Sequence, residues 1–471
     1  MKTFAVSALA ATAFASKTTS NRAMVGTNIG GWQVLEPWIT PSLFYRFLSK
    51  TKDEGVGMDQ YTFCEALGAE TGNKVLRDHW DTWITEDTFK QMAARDVEII
   101  RVPIGDWTLK PYGPYVGCTE GAADKVTWLL DMAKQYNIKV LLDVHAVKGS
   151  QNGFDNSGVS NRTTWTDQNN FTHWDHAYGE WMGEWDNENG RYKSINQDNI
   201  DWAKDTIQGL LDTWGDHPAL YAIEPVNEPW WSSDLPTLKN FYRDVRNMMR
   251  EQQPRLVFVF HDAFHFDVDT WNDLFDDDDL ENVVMDTHQY MAWWTGHDEN
   301  IGGFCDDYGS NMYRWAPNIK YDIWVGEWSL ATDVCATWLG GFNDANTDAQ
   351  RTCKRVDCPT SYLAEQAVDF DRTAEVHGPY GSNGKGLSSD HAVIKNGQCA
   401  IDSDFYSDDD MMTLGQCTLD IFNGTVQGHF MWTVRNELED RWNYIASYDK
   451  GWIKNKPTLA KPEFTHSLIQ Q

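Results

Sequence analysis

Eight short apolar runs, rich in β-branched residues, recur along the chain at strand length. They lie at 25–29, 97–104, 138–144, 219–226, 256–260, 283–287, 322–326 and 428–432. Amphipathic patterns with a helical period separate several of these runs, at 86–95, 121–136, 200–214 and 235–252. Strands that alternate with helices predict parallel βαβ units, and eight strands indicate an α/β fold of the (β/α)8, or TIM, barrel type. No glycine-rich phosphate fingerprint follows the first run, which weakens the alternative of an open dinucleotide-binding sheet.

Polar residues close most of the apolar runs, and the carboxyl ends of the strands carry the chemistry of such barrels. In chain order these residues are Arg101, Asp143, His145, Asn227, Glu228, Asp286, His288, Tyr290, Glu327 and Trp432. Side chains alternate across a strand, so we expect Glu224 and Glu228 to share a face. Glu224 lies one step deeper and suits a structural salt bridge as well as a site. Glu228 and Glu327 are expected to arrive from opposite sides of one barrel mouth.

Two facing carboxyl groups suit glycoside hydrolysis, in which one is the general acid and the other is the nucleophile or base. Asn227 is suited to hold a sugar 2-hydroxyl, and Arg101 and Tyr290 are suited to keep Glu327 ionised and oriented. Isolated buried carboxylates are unfavourable unless they are paired, so the matched pair favours a catalytic site over a structural accident.

The composition narrows the class of partner. The net charge of -31 argues against nucleic acid and against anionic membranes, because both require a basic surface. The chain has 24 tryptophans, and flat aromatic rings beside carboxylates and amides suit the apolar faces and hydroxyls of sugars. We therefore expect a neutral carbohydrate partner and a monomer.

The first 15 residues predict a secretory signal peptide, with an apolar run and small residues at Ala13 and Ala15 before Ser16. One catalytic domain over 16–471 and a secreted, extracellular or cell-wall location follow from this prediction. An even set of cysteines predicts disulfides, whose pairing the sequence leaves open: Cys64, Cys118, Cys305, Cys335, Cys353, Cys358, Cys399 and Cys417. Glycosylation sequons begin at Asn161, Asn170 and Asn423.

Other motifs are interpreted as structural. The acidic runs 275–282 and 402–410 lack the spacing of a calcium loop and are expected to be solvated. The pair of Asp143 and His145 has no second strand with metal-ligand spacing, and no nucleophile elbow of a serine hydrolase occurs beside 221–230. We therefore expect neither a metal nor a cofactor.

Several longer segments resemble fungal-type exo-β-1,3-glucanases of glycoside hydrolase family 5. They are NIGGWQVLEPWITPSLF (28–44), RVPIGDW (101–107), DVHAVKGSQNGFDNSG (143–158), VNEP (226–229), HQY (288–290), VGEWS (325–329) with Cys335, and FMWTVRNE (430–437). The resemblance implies a retaining (β/α)8 hydrolase with Glu228 as acid/base and Glu327 as nucleophile. It also implies a glucose subsite lined by Arg101, His145, Asn227, His288 and Tyr290, with Trp432 as the stacking platform.

The same resemblance implies that Glu36 and Asp155 hold the hydroxyls of the terminal glucose, which closes the pocket and makes the enzyme exo-acting. Phe154 and Asn156 would belong to the next subsite outward, and Trp293, followed by Trp294, would replace the phenylalanine of an aromatic gate. The chain departs from the family at VKGSQNG, at Trp230 and Trp231, at Val434, and in the long segment between Leu330 and Gly428. Loops of this kind set linkage specificity, so a β-1,6- or endo-acting β-glucanase and a catalytically lapsed glucan-binding protein remain alternatives.

Overall fold

The computed structural model of the protein contains a closed barrel of eight parallel strands in the order β1-β12-β11-β10-β9-β8-β3-β2. The structure describes residues 22–48, 50–160, 163–165, 168, 171–173, 179–186, 188–293, 301–332, 339, 361–368 and 406–454. The strands are β1 (Met24–Asn28), β2 (Ile99–Gly105), β3 (Lys139–Ala146), β4 (Thr163–Trp165), β5 (Phe171–His173), β6 (Gly183–Asp186), β7 (Arg191–Ile195), β8 (Leu220–Glu224), β9 (Val257–His261), β10 (Val283–Gln289), β11 (Asp322–Trp328) and β12 (Gly428–Met431). The predicted barrel and its eight strands are therefore confirmed.

Helices surround the barrel and connect its strands. They are α1 (Pro41–Phe44), α2 (Gln60–Trp83), α3 (Glu86–Ala93), α4 (Ala122–Gln135), α5 (Gln197–Trp214), α6 (Leu235–Gln252), α7 (Val268–Trp271), α8 (Ile301–Trp315), α9 (Asp408–Thr425) and α10 (Tyr444–Asp449). The four predicted helices correspond to α3, α4, α5 and α6. Among the helices that the structure describes, none has the length and apolar character needed to cross a bilayer.

Helix α6 shows how the local sequence specifies an element. Asp234 caps its first turn by accepting a hydrogen bond from the Thr237 N–H, and a proline occupies the first turn, where no N–H is needed. Its buried face includes Leu238, Phe241 and Val245, which follow the spacing of three and four residues that places side chains on one side of a helix. The helix therefore packs along the outside of the barrel.

The prediction for β8 was wrong at its end. The strand stops at Glu224 instead of continuing to residue 226, because Pro225 has no N–H for the ladder. Asn227 and Glu228 therefore follow the strand, and Glu228 has a left-handed backbone with φ of 42°. The turn after the strand, rather than strand alternation, aims Glu228 into the barrel mouth.

Two layers of side chains fill the interior of the barrel. The layer near the amino ends of the strands is apolar and comprises Ile99, Leu141, Ala222, Val257, Val259, Val284, Trp324 and Phe430. Residues two positions further along the same strands share that inward face, and several are polar: Arg101, Asp143, Glu224, His261 and Asp286. The sequence therefore changes from apolar to polar along these five strands, at the depth where the site begins.

Two disulfides connect elements outside the barrel. Cys64 on α2 is bonded to Cys118 in the segment before α4, and Cys305 on α8 is bonded to Cys417 on α9. These bonds confirm the disulfide prediction for these four cysteines. The other four, Cys335, Cys353, Cys358 and Cys399, lie outside the described residues, as do the signal peptide, Asn161, Asn170 and Trp294.

The acidic runs have structural partners where the structure describes them. Asp279 accepts hydrogen bonds from Arg246 at 2.6 Å and Arg250 at 2.8 Å, on α6. Ser407 and Asp410 form a reciprocal cap at the start of α9. These contacts support the interpretation of the runs as structural surface features.

Candidate active site

Arg101 is the centre of a buried ion network at the carboxyl end of the barrel. Its side chain is fully buried, and it donates from Nε to Glu224 Oε2 at 2.9 Å, from Nη1 to Glu327 Oε1 at 2.8 Å, and from Nη2 to Asn227 Oδ1 at 2.7 Å. Nη2 also lies 3.1 Å from Asp143 Oδ2. Burial opposes its charge, but the carboxylates around it hold the pKa of Arg101 well above its ordinary value. A permanent, rigid cation therefore joins strands from three sides of the barrel.

Both carboxyl oxygens of Glu327 are held by donors. Arg101 Nη1 binds Oε1, and the Tyr290 hydroxyl donates to Oε2 at 2.7 Å. Burial raises the pKa of Glu327, the charges of His288 and Arg101 oppose this effect, and the charge of Glu228 adds to it, so that the pKa lies above its ordinary value. Burial and the neighbouring carboxylates also raise the pKa of Tyr290, which keeps this hydroxyl a donor. The contacts predicted for Arg101 and Tyr290 with Glu327 are present.

Glu228 is held by a different set of partners. His288 Nδ1 donates to Glu228 Oε1 at 2.7 Å, and Asn156 Nδ2 donates to Oε2 at 3.3 Å. The backbone carbonyl of Glu228 accepts from Asn152 Nδ2 at 3.3 Å, which ties the turn to the loop after β3. Burial favours the neutral acid, but the hydrogen bond and the charge of His288 outweigh it and lower the pKa of Glu228.

His288 lies between the two glutamates. Its Nδ1 is 2.7 Å from Glu228 Oε1 and 3.4 Å from Glu327 Oε2, and its Nε2 is 3.4 Å from Asp286 Oδ2. Burial opposes the charge of the ring, yet the surrounding carboxylates, Glu327 first, raise its pKa well above the ordinary value. The proton of this cluster therefore lies on the imidazole in the free protein.

His145 and Trp432 form the opposite wall. His145 Nδ1 donates to Asp143 Oδ2 at 2.6 Å, and its Nε2 faces Asn227 Nδ2 at 3.5 Å. The ring of Trp432 is stacked on the imidazole of His145, with centroids 5.3 Å apart and planes at 13°. This arrangement fixes both an aromatic face and the amide of Asn227 beside the two glutamates.

Glu36 and Asp155 are two further acidic residues near the glutamate pair. Glu36 is buried, accepts from Trp38 Nε1 at 3.1 Å through Oε2, and has no hydrogen-bond partner on Oε1 among the described residues. Burial first, and then the charges of Asp155, Glu327 and Glu228, raise the pKa of Glu36 well above its ordinary value. The structure therefore brings the predicted terminal-hydroxyl residues into electrostatic range of the glutamate pair.

Two of the predicted outer residues, Phe154 and Trp293, make aromatic contacts, whereas Asn156 hydrogen-bonds Glu228 directly. Phe154 makes an edge-to-face contact with Trp230, with centroids 5.0 Å apart, and Trp293 makes one with Tyr290 at 5.1 Å. Trp293 is 40% exposed. Its position beside Tyr290 agrees with a place at the entrance.

Two features of the site were not anticipated from the sequence. Trp442 is buried and packs against Tyr290 and Trp38, with centroids 5.2 Å and 5.0 Å away, although it follows the last strand by eleven residues. His261 ends β9 and packs edge-on against His288 at 4.4 Å. The sequence did contain a signal for His261, which is a polar residue at the end of an apolar strand. No periodic signal marked Trp442, because it lies in a 3-10 helix of three residues, Asp440–Trp442, which is too short to show one.

In the described part of the chain, two groups of donor atoms have the proximity of a metal site: Glu228, His261 and His288, and Glu224, Asp286 and His288. In the second group, Glu224 is already bonded to Arg101. The first group is the one that His261 joins. One ligand atom from each of Glu228, His261 and His288 lies within 4.8 Å of the others. However, His261 Nδ1 accepts the Ala263 N–H at 3.0 Å, which places the ring proton on Nε2. His288 Nδ1 is occupied by its bond to Glu228. The hydrogen bonds thus favour ion pairing over coordination at this group.

Comparison with known proteins agrees with this geometry. Residues 64–350 match the family described as Cellulase (glycosyl hydrolase family 5). A glucan 1,3-beta-glucosidase of Blumeria graminis is 33% identical over 332 residues, which cover 68% of each chain. Glucan 1,3-beta-glucosidase 2 of Wickerhamomyces anomalus is 34% identical over 325 residues, 67% of each chain.

Solved structures show the same fold at lower identity. The crystal structure of rutinosidase from Aspergillus niger superposes with a TM-score of 0.61 at 16% identity, over 92% of this chain and 98% of that one. The barrel, the pair of buried glutamates and the family match together lead to one conclusion: this chain belongs to glycosyl hydrolase family 5 and is a glycoside hydrolase.

Proposed function

We propose that this chain is a secreted, exo-acting β-1,3-glucanase that releases glucose with retention of anomeric configuration. The observation that carries the proposal is the pair of buried carboxyl groups that contact one imidazole. His288 Nδ1 lies 2.7 Å from Glu228 Oε1 and 3.4 Å from Glu327 Oε2. These two oxygens are therefore no more than about 6 Å apart, which favours the spacing of ~5–5.5 Å found in retaining enzymes over the wider inverting one.

Glu327 would be the nucleophile. Its carboxylate attacks the anomeric carbon while the bond to the leaving oxygen breaks, which forms a covalent glucosyl ester. The donors Arg101 and Tyr290 hold its two oxygens and leave the carboxylate a single orientation. Orientation of this kind supplies the proximity that a displacement step requires.

Glu228 would donate the proton to the leaving oxygen and later take one from the water that attacks the ester. In the free site the hydrogen bond from His288 lowers the pKa of Glu228, although burial acts in the opposite direction. A glycosidic oxygen offers only lone pairs, so it accepts a hydrogen bond from Glu228 only when the carboxyl group is protonated, which is the form that burial favours. Substrate binding would therefore convert Glu228 into the acid that the first step needs.

The remaining side chains would form the subsite of the cleaved glucose. Asn227 would bind the 2-hydroxyl, His145 and His288 would complete the polar wall, and Trp432 would stack beneath the sugar ring. Arg101 would position its neighbours, since its hydrogen bonds hold the side chains of Glu224, Glu327 and Asn227 in place.

Exo action would come from the closed end of the pocket. Within the described part of the chain, Glu36 keeps an unpartnered buried Oε1, which is a suitable acceptor for a hydroxyl of the terminal glucose, and Asp155 lies nearby. An open endo-acting cleft has no use for such a wall. Phe154, Asn156 and Trp293 would contact the next unit outward, and the names of the two relatives support a β-1,3 linkage.

Secretion is part of the proposal. A signal peptide over 1–15 would be followed by one monomeric catalytic domain over 16–471. N-terminal sequencing of the protein recovered from culture medium tests this directly. Retention of residues 1–15 in the mature chain would contradict it.

The decisive experiment is a time-resolved product profile on laminarin, on a β-1,6-glucan and on a soluble cellulose derivative, with the first anomer identified by NMR. Early β-glucose from laminarin alone is the expected result. Early α-glucose would contradict retention, and longer oligomers as first products would contradict exo action. Cleavage of another linkage alone would favour the β-1,6- or β-1,4-acting alternative, and binding without products would favour the lapsed enzyme.

A further inference from the structure

The large exposed side chains at the barrel mouth are aromatic. Trp231 is 58% exposed, Phe264 is 41% exposed and Trp293 is 40% exposed. They lie in the segments that follow β8, β9 and β10, which are neighbours in the barrel. The other large hydrophobic side chains with comparable exposure in the described part of the chain are aliphatic: Val116, Ile195 and Met412. Exposed aromatic side chains beside a catalytic centre are typical of a binding surface.

Trp231 stands on a fixed backbone. It lies two residues after Pro229, and its carbonyl accepts a hydrogen bond from His265 Nε2 at 2.8 Å. The carbonyl of its neighbour Trp230 accepts the N–H of Ser233 at 2.8 Å, which closes a turn. The side chain is therefore presented to solvent from a braced position, which reduces the entropy lost when a ligand stacks on it.

The turn that carries Phe264 is held in an unfavourable conformation. Ala263 and Phe264 are consecutive non-glycine residues with left-handed backbones, at φ of 49° and 60°. Asp262 Oδ1 accepts the Phe264 N–H at 2.8 Å, and His261 Nδ1 accepts that of Ala263. Strain that surrounding groups impose on an exposed aromatic residue is typical of ligand-binding positions.

Ring contacts connect Phe264, through Trp230, to Phe154 near Glu228. Trp230 makes edge-to-face contacts with Phe154 at 5.0 Å and with Phe264 at 5.4 Å. Phe154 lies two residues from Asn156, which hydrogen-bonds Glu228 Oε2. The acid that protonates the leaving group faces the aglycone, which is the part of the substrate that departs. Residues that extend outward from Glu228 therefore lie along the aglycone.

We propose that Trp231, supported by Trp230 and Phe264, forms a further aglycone-side subsite for a glucose unit beyond the one that adjoins the cleaved bond. The occupant is a β-linked glucan chain, whose apolar sugar faces stack on the indole. This inference rests on the proposed function. An outer subsite predicts that the rate depends on the length of the glucan substrate, an effect that the inner residues do not produce.

The test compares kcat/KM on p-nitrophenyl β-glucoside, laminaribiose, laminaritriose and laminaritetraose. Trp231→Ala should lower kcat/KM on laminaritetraose roughly three- to ten-fold, mainly through KM, because stacking contributes equally to substrate and transition state. On the aryl glucoside and laminaribiose the variant should stay within about two-fold of wild type. Trp231→Phe should recover part of the loss, since a smaller ring keeps part of the stacking face.

Met412→Ala is the matched control, because Met412 is 37% exposed on α9, a helix outside the mouth, and should leave every substrate unchanged. A change that is equal on all four substrates, or no change on laminaritetraose, would overturn the outer subsite while the proposed function stands. A wild-type protein that cleaves none of the four would contradict the proposed function, and the inference with it. Equal melting temperatures of the variants would confirm that the fold is intact.

Discussion

The Arg101 network comprises Arg101, Asp143, Glu224 and Glu327, and the aromatic rim comprises Trp231, Phe264 and Trp293. Both lie in the same barrel mouth, but they differ in charge and in exposure to solvent. The network is fully buried, charged and joined by short hydrogen bonds between strand ends. The rim is exposed, uncharged and carried by turns, with Trp231 more than half exposed.

The difference separates two requirements of a glycoside hydrolase. Bond cleavage needs charges at fixed positions, and a low dielectric makes their interactions strong. Recognition of a long, uncharged chain needs broad contact surfaces that remain open to solvent. Disruption of the network should therefore abolish catalysis on every substrate, whereas changes at the rim should affect only long ones.

The largest effect should come from Glu327→Gln. Loss of the nucleophile should lower kcat by at least about 10⁴-fold on every substrate, while glucan binding persists. Steady-state kinetics together with calorimetric titration of laminaritetraose measure both quantities. Glu98→Gln, at an exposed carboxylate bonded to Arg22, is the control and should retain full activity. Turnover near the wild-type rate would refute the assignment.

Glu228→Gln should have a smaller and substrate-dependent effect. An activated aryl leaving group needs no proton, so the ester should form and then accumulate, with an overall loss of roughly 10²- to 10⁴-fold. Azide needs no general base and should restore turnover with β-glucosyl azide as product. The burst of aryl alcohol and the NMR spectrum of the azide adduct provide the measurement. Absence of azide rescue would argue against the acid/base role.

Arg101→Lys should damage both activity and stability. Lysine keeps the charge but cannot reach Glu224, Glu327 and Asn227 together, so buried carboxylates lose their partner at a cost of about 3–5 kcal/mol. Chemical denaturation gives the stability change, and kcat on the aryl glucoside gives the catalytic one. Arg95→Lys, at a partly exposed ion pair with Asp449, is the matched control. Similar small changes in both variants would show that the network is not central.

Glu36→Ala should alter the products more than the rate. Removal of the carboxylate opens the closed end of the pocket, so oligosaccharides should appear beside glucose and kcat/KM on laminaribiose should fall roughly ten-fold. Chromatography of early laminarin products provides the readout. Pure glucose at an unchanged rate would contradict the role of Glu36 in exo action.

The smallest effect should be a pH dependence of stability from Asp106, which lies just after β2. Burial raises the pKa of Asp106 to about 7, despite hydrogen bonds from the Lys148 N–H and the Tyr112 hydroxyl. The unfolded pKa is about 3.9, so this contribution to stability is fully present below pH ~4 and is lost as the pH rises through about 7.

The measurement for Asp106 is denaturation of wild type and Asp106→Asn at several pH values. Above pH ~4, the stability of the variant relative to wild type should increase by at most about 1.4 kcal/mol per pH unit, and the increase should level off above pH ~7. Activity on the aryl glucoside should change little. A stability difference independent of pH would contradict the raised pKa.

The sequence by itself determined the barrel and most of the residues of the candidate active site. Barrel strands face the interior on one side and the helices on the other, so they are visible in the sequence as apolar runs. Polar residues such as Arg101, His145 and Glu327 mark the ends of these runs. The family motifs added Glu36 and Asp155, which no periodicity would have singled out.

Only the tertiary structure decided which of these groups contact one another. The placement of Glu228 depends on a left-handed turn after Pro225, and the proton of His288 depends on carboxylates from other strands. Trp442 reaches Tyr290 from a short 3-10 helix after the last strand, and His265 hydrogen-bonds the carbonyl of Trp231 although 34 residues separate them in sequence. Local sequence encodes periodicity and backbone preference, whereas contacts between distant residues and the resulting pKa values arise only once the barrel has closed.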